Sequence, residues 1–276
     1  MMSRNSVKVL NPSGIEGVSV TIKQNRSGED FFTIADIGQL RYYGVFDGHG
    51  CGAKNTPEEA SMHISLYLKD YLHYHIAAVL EGVNVDDQRA FSSAICDLYD
   101  SLDRELFKKG ATFGSTCHVV VVTPRTIYQI NLGDSCSAII DSKSVIVSKA
   151  KTHIPSDRGE EDRIRECGGF VCQDKRVDGI LAMSRAFGDY RFKTNDKGEY
   201  LDVTKVSCVP EIVSVSRKDS YVVILGTDGL YCDNIGVSDM VNILRGATLK
   251  ESSRKLVEYC AKKNYDDDTT AIVFRV

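Results

Sequence analysis

Proline is scarce in this chain of 276 residues, occurring five times, and no Ser/Gly-rich or low-complexity tract interrupts it. Nothing therefore marks a linker, and no fixed-period repeat marks a solenoid. Residues 1–276 are expected to form a single domain. No apolar run approaches the ~20 residues that span a bilayer, and no apolar leader opens the chain. Positive charge is not in excess: 34 Lys and Arg against 38 Asp and Glu leave a formal charge of −4. That balance argues against nucleic acid as a partner. The nine cysteines include no CxxC pair. An odd number of scattered thiols suits a reducing compartment better than a disulfide framework. A cytoplasmic or nuclear monomer without membrane attachment is expected. What is present, 42% hydrophobic and 26% charged residues, is ordinary for a globular protein.

Periodicity places the elements. Thr56-Pro57-Glu58-Glu59 is a helix start, with Thr as N-cap and Pro at the first helical position. Ile64, Leu68, Tyr71 and Leu72 continue it at helical spacing to about Leu80. Phe91, Ile95, Leu98, Leu102 and Leu106 form one face of a second helix that stops near Gly110. Strand-like runs follow at Cys117–Val122, Ile127–Leu132, Ser137–Ile140 and Val145–Val147. Their connections are too short for parallel crossovers, so antiparallel pairing is expected. A capping box, Asp157-Arg158-Gly159-Glu160, opens a short helix ending at Gly168-Gly169. Further strands are expected at Gly179–Met183, Glu211–Val215, Tyr221–Leu225 and Thr270–Val276, with a late helix opening at Thr248-Leu249-Lys250-Glu251. Lys193 to Glu199 reads as an exposed insertion. The predicted class is α+β, a central antiparallel β-sandwich flanked by helix layers.

Acids gather where the strand-like runs begin or stop. Leu40 to Phe46 ends in Asp47-Gly48-His49-Gly50. Tyr221 to Thr227 ends in Asp228-Gly229, and Tyr128 to Gly133 ends in Asp134. Glu29-Asp30 precedes Phe31 to Ile34, and Asp267 precedes the last strand. Each Asp-Gly alone is an ordinary turn, and His49 alone an ordinary surface histidine. His73 and His75, two apart on a helix, face different ways and read as structural. If the strand ends meet at one edge, the carboxylates repel one another and divalent cations relieve this. All-oxygen sets suit Mg²⁺ or Mn²⁺ rather than structural zinc. A pair of such ions can clamp a phosphoryl group and acidify a water. A histidine two residues from one such acid can carry a proton near neutral pH. The pattern points to a metal-assisted hydrolase.

Taken jointly, these segments resemble the metal-dependent serine/threonine protein phosphatases of the PP2C (PPM) family, from about Val18 to Val276. The matching order is Glu29-Asp30, Val45-Phe46-Asp47-Gly48-His49-Gly50, Phe113-Gly114-Ser115-Thr116 and Asn131-Leu132-Gly133-Asp134-Ser135. Arg163-Ile164 and Gly168-Gly169-Phe170-Val171 follow. Leu181 to Asp189, Pro210-Glu211-Ile212, Asp228-Gly229-Leu230 and Asp267 to Val273 complete it. The resemblance implies an α-β-β-α sandwich, phosphoserine and phosphothreonine proteins as substrates, and two Mg²⁺ or Mn²⁺ ions. It implies that Asp47 bridges the ions, with the Gly48 carbonyl as a further ligand. Asp228 and Asp267 would complete one ion's shell, and Glu29 and Asp30 would hold the other, partly through water. His49 would be the general acid and a metal-bridging hydroxide the nucleophile, with no phosphoenzyme. Asp134 and Thr116 match positions lining the site, while Arg185 and Asp189 match scaffold positions.

Three departures from the family pattern matter. The family's phosphate-binding arginine stands four residues before the motif glutamate; Asn25 occupies that place and Arg26 is one residue nearer. Arg26 is expected to take the role through a shortened turn. Cys232 replaces an aspartate that serves a third metal with the Asp134 equivalent, and thiolate suits Mg²⁺ poorly, which argues against a third ion. Asp268 and Cys136 replace the usual Asn and Arg without removing a core ligand. Cys51, beside the signature, reads as an inert thiol. The rival reading is a pseudophosphatase, the same fold used as a regulatory binding module.

Overall fold

The computed structural model describes residues 7–9, 11, 15–24, 28–50, 64–111, 113–218, 220–231, 236–263 and 267–276. The helix start at Thr56-Pro57-Glu58-Glu59 lies outside them. In chain order the strands are β1 (Val7–Val9), β2 (Val18–Lys23), β3 (Asp30–Ile37), β4 (Leu40–His49), β5 (Gly114–Ser115), β6 (Cys117–Val122), β7 (Thr126–Leu132), β8 (Cys136–Ile140), β9 (Ile146–Lys149), β10 (Phe187–Gly188), β11 (Glu211–Ser216), β12 (Val222–Gly226) and β13 (Thr269–Arg275). The helices are α1 (Ile64–Val79), α2 (Gln88–Lys108), α3 (Arg158–Glu166), α4 (Val237–Leu244) and α5 (Leu249–Ala261).

Two sheets result. One runs β1-β3-β4-β6-β7-β11, with β5 and β10 paired off the end of β4; the other runs β2-β13-β12-β8-β9. Every pairing of named strands is antiparallel, as the short connections require. Alternation along each strand sorts side chains between two cores. In β4, Leu40, Tyr42 and Phe46 face α1 and α2, whereas Tyr43 and Val45 enter the space between the sheets. In β13, Ala271 and Val273 pack under α4 and α5, while Ile272 and Phe274 turn inward. The fold is thus α+β, two stacked antiparallel sheets with a helix layer on each outer face.

Residues that stabilise individual elements differ in part from the pattern. Asp87 caps α2, accepting from the N–H groups of Arg89 and Ala90. Asp157 makes no side-chain cap bond at α3, so the expected capping box does not form; its carboxylate pairs with Lys151 at 3.1 Å instead. Gly179 to Met183 is not a strand: one isolated bridge, Val177 to Leu181, occurs there. Its apolar residues serve a satellite core of Ile164, Val177, Leu181, Met183, Ala186, Phe192 and Val206. Helix α4 was not anticipated, although Val237, Met240 and Val241 are buried at helical spacing. Lys193, expected on an exposed insertion, is fully buried.

Candidate active site at one end of the sandwich

Strands of both sheets begin or stop at the same end of the sandwich, and each delivers an acid. Asp30 opens β3 and lies opposite Asp47 of β4 in register. Asp134 and Asp228 follow β7 and β12, and Asp267 precedes β13. Side-chain hydrogen bonds sew the two sheets together at this point. The Asp30 Oδ2 atom accepts from Thr227 Oγ1 and Thr270 Oγ1, each at 2.8 Å, both from the opposite sheet. The Glu29 N–H donates to Asp268 Oδ2 at 3.0 Å. Asp47 is held by its backbone: its N–H donates to Thr116 Oγ1 (3.2 Å) and its carbonyl accepts from the Thr116 N–H (2.9 Å). Gly48 leaves no room for a Cβ, which would strike Ser65 Oγ of α1 and crowd Glu29.

Crowding shifts the titration of this group. Asp47 is held well above the usual carboxylate range, first by loss of water and then by the charges of Asp228, Asp30 and Asp134. Asp30 is pushed up to about 7 by burial against the two threonine hydrogen bonds that lower it, with Asp268 and Asp228 adding. Asp134 is pushed up to about 7 by burial and the Asp228 charge. Asp267 rises to about 6 from the same two causes. Among the described residues, Glu29 Oε1, Asp30 Oδ1, Asp134 Oδ1 and Asp228 Oδ1 are buried acceptors with no hydrogen-bond partner. Carboxylates can only accept when ionised, so a cation is the group that satisfies such a set, and oxygen donors suit a hard divalent ion. Among the described residues no three of these groups close as a finished cage. A Mg²⁺-type ion does not require one, because it keeps several waters.

A proton carrier stands beside the acids. His49 Nε2 lies 2.7 Å from Asp189 Oδ2, while its buried Nδ1 has no partner among the described residues. Burial alone would lower the imidazole pKa; the Asp189 charge and hydrogen bond, with Asp134 and Glu29, outweigh it, and the net shift is upward. Gly114 makes the pair possible, since a Cβ there would stand on His49 Nε2 and the Asp189 carboxylate.

The model of the protein phosphatase 2C family matches residues 23–269. The chain belongs to the protein phosphatase 2C family. It is accordingly a protein phosphatase, of a family that is generally metal-dependent. A rice protein (Oryza sativa subsp. japonica) named probable protein phosphatase 2C 45 is 31% identical over 259 residues, 90% of this chain and 83% of the rice protein. Probable protein phosphatase 2C 17 of Arabidopsis thaliana is 30% identical over 270 residues, 92% of this chain and 85% of its own. A solved phosphatase from Toxoplasma gondii superposes with a TM-score of 0.75 at 23% identity, covering 94% of this chain and 92% of that one. A sex-determining protein of C. elegans gives the same TM-score at 22% identity, covering 94% of this chain and 64% of its own. These two likenesses concern the fold.

For this phosphatase, Asp47, Gly48, Asp228, Asp267, Glu29 and Asp30 all come to one end of the sandwich, with His49 beside them. Arg26, Cys51 and Cys232 lie outside the described residues. Asp189 is the main revision: expected as scaffold, it is the partner of His49. Thr227, Thr270 and Asp268 were not anticipated as holders of Asp30 and Glu29. Their only local signal is adjacency to Asp228 and Asp267.

Proposed function

We propose that this phosphatase hydrolyses phosphoserine and phosphothreonine with two Mg²⁺ or Mn²⁺ ions, residues 1–276 forming a single catalytic domain. The observation that carries the reading is the set of unpartnered buried oxygens on Glu29, Asp30, Asp134 and Asp228. Asp47 would lie between the ions, with the Gly48 carbonyl; Asp228 and Asp267 would hold one, and Glu29 and Asp30 the other. When bound, the ions polarise the phosphoryl group and make water a usable nucleophile at neutral pH. Bound cations would favour the ionised forms of Asp47, Asp30 and Asp134, since their charge offsets the burial and mutual repulsion that raise these groups.

His49 supplies the proton. Asp189 favours the protonated imidazole and holds it at Nε2, which leaves Nδ1–H to donate to the departing serine or threonine oxygen. Arg26 is assigned to the phosphate by its place in the sequence, where a bidentate guanidinium would orient the group. Hydrolysis of a phosphothreonine peptide in excess Mn²⁺ tests the reading against Asp47→Ala. Turnover that exceeds the variant and depends on metal supports it. Equal rates would leave a pseudophosphatase.

A further inference from the structure

Asp189 is held in place by groups that never touch the reacting atoms. The segment that carries it is tied to a fully buried ion pair, Asp103 of α2 and Lys193, with Nζ to Oδ2 at 2.6 Å and neither side chain exposed. Lys193 Nζ also donates to the Ala186 carbonyl at 2.8 Å. Asp103 Oδ1 accepts from the Gly188 N–H at 2.7 Å, and its Oδ2 accepts from Tyr200 OH at 2.6 Å. The Asp103 carbonyl accepts from Tyr190 OH at 2.9 Å. Ala186, Gly188, Tyr190 and Lys193 therefore bracket Asp189 in sequence, and all are tied to Asp103 or to its partner.

Asp189 needs that support. Its backbone is left-handed, φ 55° and ψ 40°, a conformation disfavoured for a residue with a Cβ. Such conformations persist where the surroundings over-determine them, and they gather at functional sites. A buried ion pair seldom stabilises a fold more than apolar groups of the same shape. Its directional bonds do, however, set the path of a backbone, and here that path leads to the carboxylate on His49.

We propose that Asp103 and Lys193, completed by Tyr200, are positioning residues for the reaction: they hold the 186–193 segment so that Asp189 meets His49 Nε2 and leaves Nδ1 unbonded. The proposal rests on the reading of His49 as the general acid. It makes α2, remote from the acids, part of the device that protonates the leaving group.

The leaving group provides the test. A threonine alkoxide needs a proton to depart, whereas p-nitrophenolate does not, so loss of general acid catalysis falls on the peptide alone. His49→Ala should lower kcat on a phosphothreonine peptide by about 100-fold and on p-nitrophenyl phosphate far less. Asp103→Asn should show the same split in weaker form, about 10-fold on the peptide and under about twofold on the aryl ester, with KM unchanged. Tyr200→Phe keeps both charges and should give the split at about threefold; it decides alone if Asp103→Asn does not fold. Crystals of the metal-free variants should show Asp189 withdrawn from His49. A parallel loss on both substrates, an unaltered ratio in folded variants, or an unmoved Asp189–His49 pair overturns the proposal. If His49→Ala shows no split, the acid reading falls and the positioning role with it. If His49→Ala shows it and the other variants do not, the positioning role falls alone.

Discussion

Glu160 and Asp30 are both buried carboxylates, and burial raises the pKa of each; their outcomes are opposite. Against burial, hydrogen bonds from Arg185 and the charge of Arg163 bring Glu160 down to about 2. The arginines stand at 2.6 and 2.8 Å and carry on to the carbonyls of Ser184, Thr204, Lys205 and Val209. That cluster is closed: both Glu160 oxygens are met by guanidinium N–H groups, and it ties the loops around the satellite core. The acids around Asp30 have threonine hydroxyls and one another, no fixed cation among the described residues, and four acceptor oxygens left over. The lesson is that burial of a carboxylate does not indicate its purpose. A cluster complete in itself stabilises, whereas one that is incomplete is built for something it binds.

Substitution, unfolding and metal titration would break or sharpen this contrast. Asp47→Asn or Asp228→Asn should lower kcat by about 1000-fold or more, because several kcal/mol of metal-derived stabilisation are lost at about 1.4 kcal/mol per tenfold. The same variants, measured without metal at pH 7.5, should melt at or above the parent temperature, since a repelling charge has gone. Glu160→Gln should do the reverse. Urea unfolding should show about 3 kcal/mol less stability, from two arginines left without their carboxylate, with turnover per folded molecule largely retained.

The pH dependences should also oppose. Asp30, Asp134 and Asp267 have folded values of about 7, 7 and 6, above the ordinary 3.8. Their folded forms bind more protons than the unfolded chain, so the metal-free protein loses stability as pH rises from about 4 to 7. Glu160, lowered from 4.5 to about 2, contributes stability present above 4.5 and lost as pH falls below it. Calorimetry with Mn²⁺ at about 100 Kd should therefore raise Tm by about 5 °C or more at pH 7.5 and by clearly less at pH 5. An equal rise at both values would contradict the carboxylate cluster as the ion site. The smallest effect belongs to Lys205, partly exposed and 2.8 Å from Asp178. Lys205→Met should cost under about 1 kcal/mol in urea unfolding, because water does there what the arginines do for Glu160.

Much of this was legible in the chain. Helical spacing in Phe91, Ile95, Leu98, Leu102 and Leu106 marks α2, and apolar runs mark β6, β7, β8, β11, β12 and β13, whereas β1, β2, β5 and β10 carry no such signal. The acids at strand ends announced themselves because a break from apolar to polar residues is a local pattern. Lys193 was misread for the converse reason. The residues after it, Thr194 to Gly198, are polar and turn-forming, and its partner Asp103 is 90 residues away. The pairing of Asp189 with His49 has no local signal either, the two being 140 residues apart.

The order of residues thus settled most of the strands and helices, which faces are apolar, and which acids stand at strand ends, since neighbours along the chain encode backbone conformation and side-chain alternation. Stacking of the sheets settled which acids share a space, which hydroxyls hold them, and which carboxylate meets which cation. Those outcomes depend on distance through space and on the exclusion of water. Neither exists until segments a hundred residues apart have packed together.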